Sequence, residues 1–235
     1  MAMGDAMRAT AMSGSRRTTL VAGLASAGAL LLQPVLLGGF RIQPTPDMAS
    51  TIVLQGPVVD VLGVVLTVVA AVVLARGVRG EPGLMRASRA AAIAVLVAAG
   101  GLVVLAVADV IVGLSLADPR EPVLPAGVVI VTQVAGAIHE AALAVLAVMV
   151  VRGLLLEPLA RVSLLVLALA TAVSWLLYAG LGSFLPGGAW SPLMLLLVAL
   201  PTVTLLASVG LAVGLVVHGR SAAMRERAEA IHRAW

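Results

Sequence analysis

Ionisable side chains interrupt the long apolar runs of this sequence at only a few positions. His139 and Glu140 are adjacent within one such run, and Asp60 and Asp109 each lie inside another. An imidazole and carboxylates can bind a cation, relay a proton or act as general acid and base, and they are costly in hydrocarbon unless they face a partner or a cavity. We therefore predict these four residues as ligand- or proton-binding candidates. Three further candidates can hydrogen-bond to a solute or stack on it: Gln133, Trp175 and Tyr178.

The composition indicates that these residues belong to a membrane protein. Hydrophobic residues make up 61% of the 235 residues and charged residues 11%, whereas soluble domains are roughly 45–50% apolar. Runs of about 20 residues almost free of charge recur along the chain, and this length crosses a bilayer as a helix. We predict an all-α, polytopic membrane helix bundle that has the lipid bilayer as its surroundings.

Six apolar runs, separated by Pro, Gly and Arg clusters, predict six transmembrane helices. These cover residues of about 18–39, 52–75, 90–117, 126–151, 162–185 and 193–217. The chain then divides into a cytoplasmic N-terminal tail (1–17), a six-helix transmembrane domain (18–217) and a basic cytoplasmic tail (218–235).

The distribution of arginine predicts the orientation. All 15 basic residues are arginine, and only Arg41 and Arg120 fall outside the tails and loops of one side. By the positive-inside rule, both termini are then cytoplasmic. Arginine in place of lysine, together with the excess of Ala, Val, Leu and Gly, is typical of a GC-rich bacterial genome, so we expect the bacterial plasma membrane. The basic charge reports topology, and we predict no nucleic-acid partner.

The basic tail has a helical apolar pattern of its own. Met224, Ala228, Ile231 and Trp235 recur at helical spacing among arginines. This pattern predicts an amphipathic helix on the cytoplasmic membrane surface, and a solvated tail is an equal alternative because the stripe is short.

The polar groups concentrate in the outer half of the predicted bundle. Asp60 and Asp109 each lie eight or nine residues from the external end of their span, or roughly 13 Å below that surface. His139 and Glu140 fall near the midplane, about 100° apart on their helix, so they cannot easily pair with each other. We predict a polar pocket that opens to the outside and is closed toward the cytoplasm. Other polar residues of the same half are Gln33, Gln55, Gln133, Ser174, Trp175, Tyr178, Thr202 and Thr204.

Each candidate also has a structural interpretation. Asp60 and Asp109 could be protonated and hydrogen-bond between helices. For His139 a neutral ring bonded to a carbonyl or hydroxyl is favoured over a functional role. Trp175 more often packs one helix against another than stacks a solute. Glu140, the deepest acid, is the best functional candidate because it is the costliest to leave without a role.

Several classes of site are excluded or find no support in the sequence. The chain has no cysteine, which excludes disulfides, thiol nucleophiles and thiolate metal ligands. No His-x-x-x-His spacing, Walker loop or Gly-x-Ser-x-Gly motif is present. We therefore predict no metal and no cofactor, and we assign no catalytic residue.

Two stretches carry a resemblance to known membrane proteins. The segment "HEAALAVLAVMVVRGLL" from His139, followed by a basic loop and a span ending "WLLYAGLGSFL", resembles uncharacterised six-helix bacterial integral membrane proteins that are grouped as a domain of unknown function. The resemblance covers most of the chain by hydropathy and loop spacing. It implies a six-helix fold and assigns no chemistry.

Three functions remain open. The favoured one is binding or transport of a small solute or ion through the outer polar pocket, and in layout the chain broadly resembles the six-helix substrate-capturing subunits of vitamin importers. The second is a non-catalytic membrane subunit, or a homo-oligomer, that docks through small-residue faces such as Gly210 and Gly214 and through the basic tail. The third is a membrane-embedded enzyme that uses Glu140, Asp60 or Asp109, which the short loops disfavour.

Overall fold

The computed structural model describes residues 16–32, 57–116, 126–181 and 192–234. Within these residues all regular secondary structure is α-helical. Its helices are α1 Arg16–Leu31, α2 Pro57–Arg76, α3 Leu84–Ala87, α4 Arg89–Leu116, α5 Ala126–Gly153, α6 Pro158–Leu181 and α7 Pro192–Ala234. Three of the six long helices, α2, α6 and α7, begin with proline, whose fixed φ suits the first helical position and whose missing N–H is not needed there.

Five of these helices are long and apolar enough to cross a membrane. The five segments are Val59–Arg76, Arg89–Val112, Gly127–Gly153, Pro158–Leu177 and Ala199–Ser221. The remaining predicted span, residues 18–39, begins within α1, which has 16 residues, and its last seven residues, 33–39, lie outside the described residues. The all-helical class is confirmed, and the five apolar helices are compatible with a multi-pass membrane protein.

The six long helices form a closed ring. Each packs against the long helices that precede and follow it in the chain, and α7 packs against α1 to close the circle. Contacts at one end fix the alternating direction: Thr18 in α1 meets Glu81 after α2, Ser221 in α7 bonds Glu157 before α6, and Ser88 before α4 shares a cleft with the end of α5. We call this the basic end. Its arginines include Arg16, Arg76, Arg89, Arg152 and Arg161.

Glycine sets the closest helix approach in the ring. A Cβ atom on Gly214 of α7 would lie 2.7 Å from the backbone nitrogen of Ala160 in α6, and one on Gly210 would overlap the hydroxyl of Ser163. The Gly210 and Gly214 face, which could have docked a partner helix, is therefore covered by α6 of the same chain.

A carboxylate from a distant loop caps the first turn of α1. The Glu81 carboxylate accepts hydrogen bonds from the backbone N–H groups of Arg17 at 2.6 Å and Thr18 at 2.8 Å. These donors have no partner within their own helix, and the negative charge also complements the positive end of the helix dipole. The turn that carries Glu81 depends on Gly77 (φ +85°) and Gly80 (φ +84°). This contact ties α1 to the loop after α2.

The basic tail continues the last span as one helix. Beyond the apolar segment, α7 runs without interruption to Ala234. Met224 and Ile231 are strongly exposed, at 71% and 60%, in keeping with a surface stripe. The placement of this helix on the membrane surface stays a prediction, and Trp235 lies outside the described residues.

Candidate functional site

A chamber of about 150 Å³ lies inside the ring, and all six long helices line it. Its polar lining residues are Ser26 in α1, Thr67 in α2 and His139 in α5, and all its other lining residues are Ala, Val or Leu. Toward the basic end it is closed by side chains that are almost fully buried, among them Val150 and Leu215. Of the six predicted site residues whose side chains are described, His139 alone lines this chamber.

A backbone carbonyl of the neighbouring helix orients His139. Its Nδ1 atom lies 2.7 Å from the carbonyl oxygen of Ala98 in α4. A carbonyl oxygen only accepts, so Nδ1 carries the hydrogen and, in a neutral ring, Nε2 carries the lone pair. Gly101 makes room for this approach, because a Cβ atom there would lie 3.0 Å from the Cβ of His139. The structural interpretation of His139 expected a hydrogen bond to a carbonyl, and the Ala98 carbonyl provides it. His139 also lines the chamber.

Glu140 faces the other neighbouring helix. The hydroxyl of Thr171 in α6 donates to its Oε2 atom at 2.7 Å and also lies 3.0 Å from the carbonyl oxygen of Leu167. Glu140 is half-buried and does not line the chamber. Adjacent in sequence, His139 and Glu140 thus turn to α4 and α6 respectively and do not pair with each other, as their angular positions predict.

Asp60 and Asp109 lie on neighbouring helices, close enough for their negative charges to repel each other. Both side chains are exposed and neither lines the chamber. Asp60 comes seven residues before the lining residue Thr67, and Asp109 comes seven residues after the lining residue Leu102. Seven residues turn a helix by about 700°, only about 20° short of two full turns, and advance it by about 10 Å. Both acids therefore share the helix face that lines the chamber, two turns farther from the basic end.

The same seven-residue relation recurs around the ring. A polar residue lies seven positions from a lining residue, always on the side away from the basic end, in five of the six long helices. The pairs whose second member does not itself line the chamber are Thr67 with Asp60, Leu102 with Asp109, His139 with Thr132, Leu164 with Thr171, Leu167 with Ser174, Leu211 with Thr204, and Leu215 with Ser208. We call the second members of these pairs the polar layer. It follows the apolar chamber along the inner face of the ring.

Of the remaining predicted site residues, Trp175 and Gln133 do not line the chamber, and the side chain of Tyr178 is not among those that the structure describes. The indole of Trp175 packs on Gly136 of α5, where an added Cβ atom would lie 2.5 Å from Nε1, which agrees with its structural interpretation. Gln133 is exposed on α5. Tyr178 belongs to α6, but its side chain lies outside the described part, as do Gln33 and Gln55 entirely.

Sequence reasoning missed two features of the interior and one outside it. The sequence did not indicate that Ser26 lines the chamber or that the Ala98 carbonyl binds His139. A single serine is common in an apolar run, and a backbone oxygen leaves no trace in a sequence. At the basic end, Ser221 donates to Glu157 at 3.2 Å and His218 lies 3.8 Å from the same oxygen. Among the described residues, no group of three His, Asp or Glu side chains could hold a metal ion.

Comparison of the chain with models of protein families, with characterised proteins and with solved structures gave no match. The chemistry of the interior must therefore carry the functional argument.

Proposed function

We propose that this chain is a six-span protein of the bacterial plasma membrane that binds a small solute or ion inside its helix ring and takes part in its transport. The observation that carries the proposal is the order of the interior: an apolar chamber lined by all six long helices, followed by the polar layer on the same helix faces. Small-molecule sites are typically apolar cavities with a few polar groups that fix orientation.

The arginines support an orientation for this interior. The basic end carries the arginines of the loops and helix ends, and such clusters mark the cytoplasmic side of membrane proteins. With the basic end and both termini in the cytoplasm, the polar layer opens toward the outside. A pocket with that orientation captures a solute from outside the cell.

The alternatives have less support. Docking of a partner helix through Gly210 and Gly214 would have to displace α6, which covers them. A membrane-embedded enzyme would use Glu140, Asp60 or Asp109, but Glu140 is bonded to Thr171, and neither Asp60 nor Asp109 lines the chamber.

Substituted-cysteine accessibility tests the proposal directly, because the natural chain has no cysteine and each variant carries a single thiol. Thr204 belongs to the polar layer on α7. Thr202 and Leu206 bracket it and point about 200° away around the helix, and both are exposed on the outer surface of the ring. A membrane-impermeant methanethiosulfonate reagent, added outside intact cells, should label Thr204→Cys and leave Thr202→Cys and Leu206→Cys unlabelled.

The controls separate orientation from access. Met224→Cys on the basic tail should react only in inside-out vesicles. Equal labelling of Thr202→Cys and Thr204→Cys, or labelling of Thr204→Cys only from the cytoplasmic side, contradicts an outward-facing polar interior. Solutes that slow labelling of Thr204→Cys then identify the substrate.

A further inference from the structure

The lining of the chamber restricts what it can hold. Among the described residues, no carboxylate and no arginine line it, and its volume of about 150 Å³ matches that of a protein cavity that takes up benzene. An ion in such a space would lose its hydration without gaining a counter-charge. Asp60 and Asp109 lie two helical turns away, about 10 Å along their helices, beyond the reach of a benzene-sized occupant. The chamber therefore fits a small, uncharged molecule with an apolar body.

Two groups on the chamber wall can bond to such a molecule, Nε2 of His139 and the hydroxyl of Ser26 on α1. The Thr67 hydroxyl donates to the carbonyl oxygen of Gly63 at 2.9 Å, so its hydrogen is already used. The His139 Nδ1 hydrogen is used on the Ala98 carbonyl. Within the described residues, no hydrogen bond reaches Nε2 of His139. The nearest acid in sequence, Glu140, faces Thr171 instead of the chamber. With a hydrogen on Nδ1 held by the Ala98 carbonyl, the ring offers one acceptor at Nε2.

We infer that the chamber binds a neutral molecule of about the size of phenol, whose apolar body fills the space between the helices and whose single hydroxyl or N–H group donates to Nε2 of His139. The inference rests on the proposed function and names its substrate class. Nδ1, held by the Ala98 carbonyl, fixes the tautomer and the ring orientation, so Nε2 is presented as an acceptor. Selectivity then comes from size and from one donor.

Nitrogen NMR of the full chain in lipid nanodiscs, with ¹⁵N-labelled histidine, tests the inference. The chain has 3 histidines, and His218→Gln and His232→Gln, both on the basic side of the last span, assign the resonances without touching the chamber. Phenol is the probe, and fluorobenzene is its control, equal in heavy atoms but without a donor. Phenol should produce a saturable shift of the His139 Nε2 resonance. Fluorobenzene should compete with phenol without producing that shift.

Two alanines of the ring give a matched pair of variants. Ala71 on α2 is buried and lines the chamber, whereas Ala144 on α5 is exposed and does not line it, although its neighbour Leu143 does. Ala71→Leu should fill the chamber and weaken phenol binding by at least about tenfold. Ala144→Leu makes the same chemical change outside the chamber and should leave phenol binding unchanged. If Ala71→Leu does not fold, the competition by fluorobenzene decides.

The results that overturn the inference are specific. They are an unchanged His139 resonance with phenol, equal shifts from phenol and fluorobenzene, or binding by Ala71→Leu equal to that of Ala144→Leu. These results are independent of thiol labelling at Thr204. Outward labelling without phenol binding overturns the substrate class alone, whereas phenol binding without outward labelling supports the chamber site and overturns the outward-facing function.

Discussion

Adding one methyl group at Gly214 tests the closest contact in the ring. The new Cβ atom would lie 2.7 Å, 2.8 Å and 2.9 Å from the backbone nitrogen, the Cα and the Cβ of Ala160. Favourable contacts between carbon atoms need about 3.5–4.0 Å, and backbone atoms cannot rotate away as a long side chain can. Helices α6 and α7 would have to separate by more than about half an ångström along their contact. We expect Gly214→Ala to lower the free energy of unfolding by about 1–3 kcal/mol, the usual cost of overpacking.

The same substitution at Gly100 is the control. Gly100 is an exposed residue of α4, and a Cβ atom there would meet nothing within 4 Å. Alanine is the better helix former, so Gly100→Ala should raise stability by up to about 1 kcal/mol. Unfolding by sodium dodecyl sulfate, followed by circular dichroism in mixed micelles, measures both variants. The free energies of unfolding of the two variants should differ by about 1–4 kcal/mol, with Gly214→Ala below the unmodified protein and Gly100→Ala above it.

Equal stability of the two variants would refute the packing of α7 on α6. A stable, monomeric Gly214→Ala protein would mean that no backbone lies against this glycine. The Gly210 and Gly214 face would then be available to another helix, and the alternative of a partner-docking subunit would gain the support that it lacks here.

Three further predictions use the same unfolding assay. Glu81→Ala removes the acceptor of the Thr18 N–H and should cost about 1–2 kcal/mol, as loss of a helix cap does; an unchanged stability would mean that the cap does not form. Gly77→Ala forces a side chain into a left-handed conformation (φ +85°) and against the Glu81 carbonyl, so it should cost more than about 1 kcal/mol, and a stabilised variant would contradict the turn. In a double-mutant cycle, Glu140→Ala and Thr171→Val should be coupled by about 0.6–1.7 kcal/mol, the average and the maximum for hydrogen bonds between membrane helices. Additive effects would show that the two side chains do not interact.

The helices were largely predictable because apolar run length reports a candidate membrane span directly. The five long apolar helices follow from runs of about 20 residues without charge. The length of the apolar run did not predict where α7 ends. Residues such as Arg225 and Glu229 favour a helix but are not apolar, so the helix continues beyond the apolar run. Helix α3 was missed for the opposite reason. It has four residues and is fixed by the full burial of Leu84, which leaves no periodic pattern to read.

The sequence predicted which residues share a face of one helix, but it did not predict which faces of different helices meet. Periodicity alone placed Asp60 and Thr67 on one face. It could not show which neighbouring helix that face meets, since the ring closes through α1 and α7, which lie at opposite ends of the sequence. The described part of the ring holds a chamber of mostly apolar side chains, and Asp60 and Asp109 lie two helical turns beyond its lining residues. The contacts that fix His139 and the first turn of α1 join residues 41 and 63 positions apart, and no local pattern records them.

The order of the two layers determines how an inward-moving solute would be sorted. In the polar layer, hydroxyl groups of Thr132, Ser174 and Thr204 can replace lost water contacts, and a cation can balance the repulsion between Asp60 and Asp109. In the chamber these replacements end, because no described residue of its wall carries a formal charge. In the proposed function, a cation would be held at the outer layer and would lose this stabilisation one step farther in, whereas a small neutral molecule would exchange water for apolar contact and one hydrogen bond. Binding of an ion at the polar layer would affect binding of a neutral solute in the chamber only if both were bound at once. The two sites would then lie about 10 Å apart along the same helices.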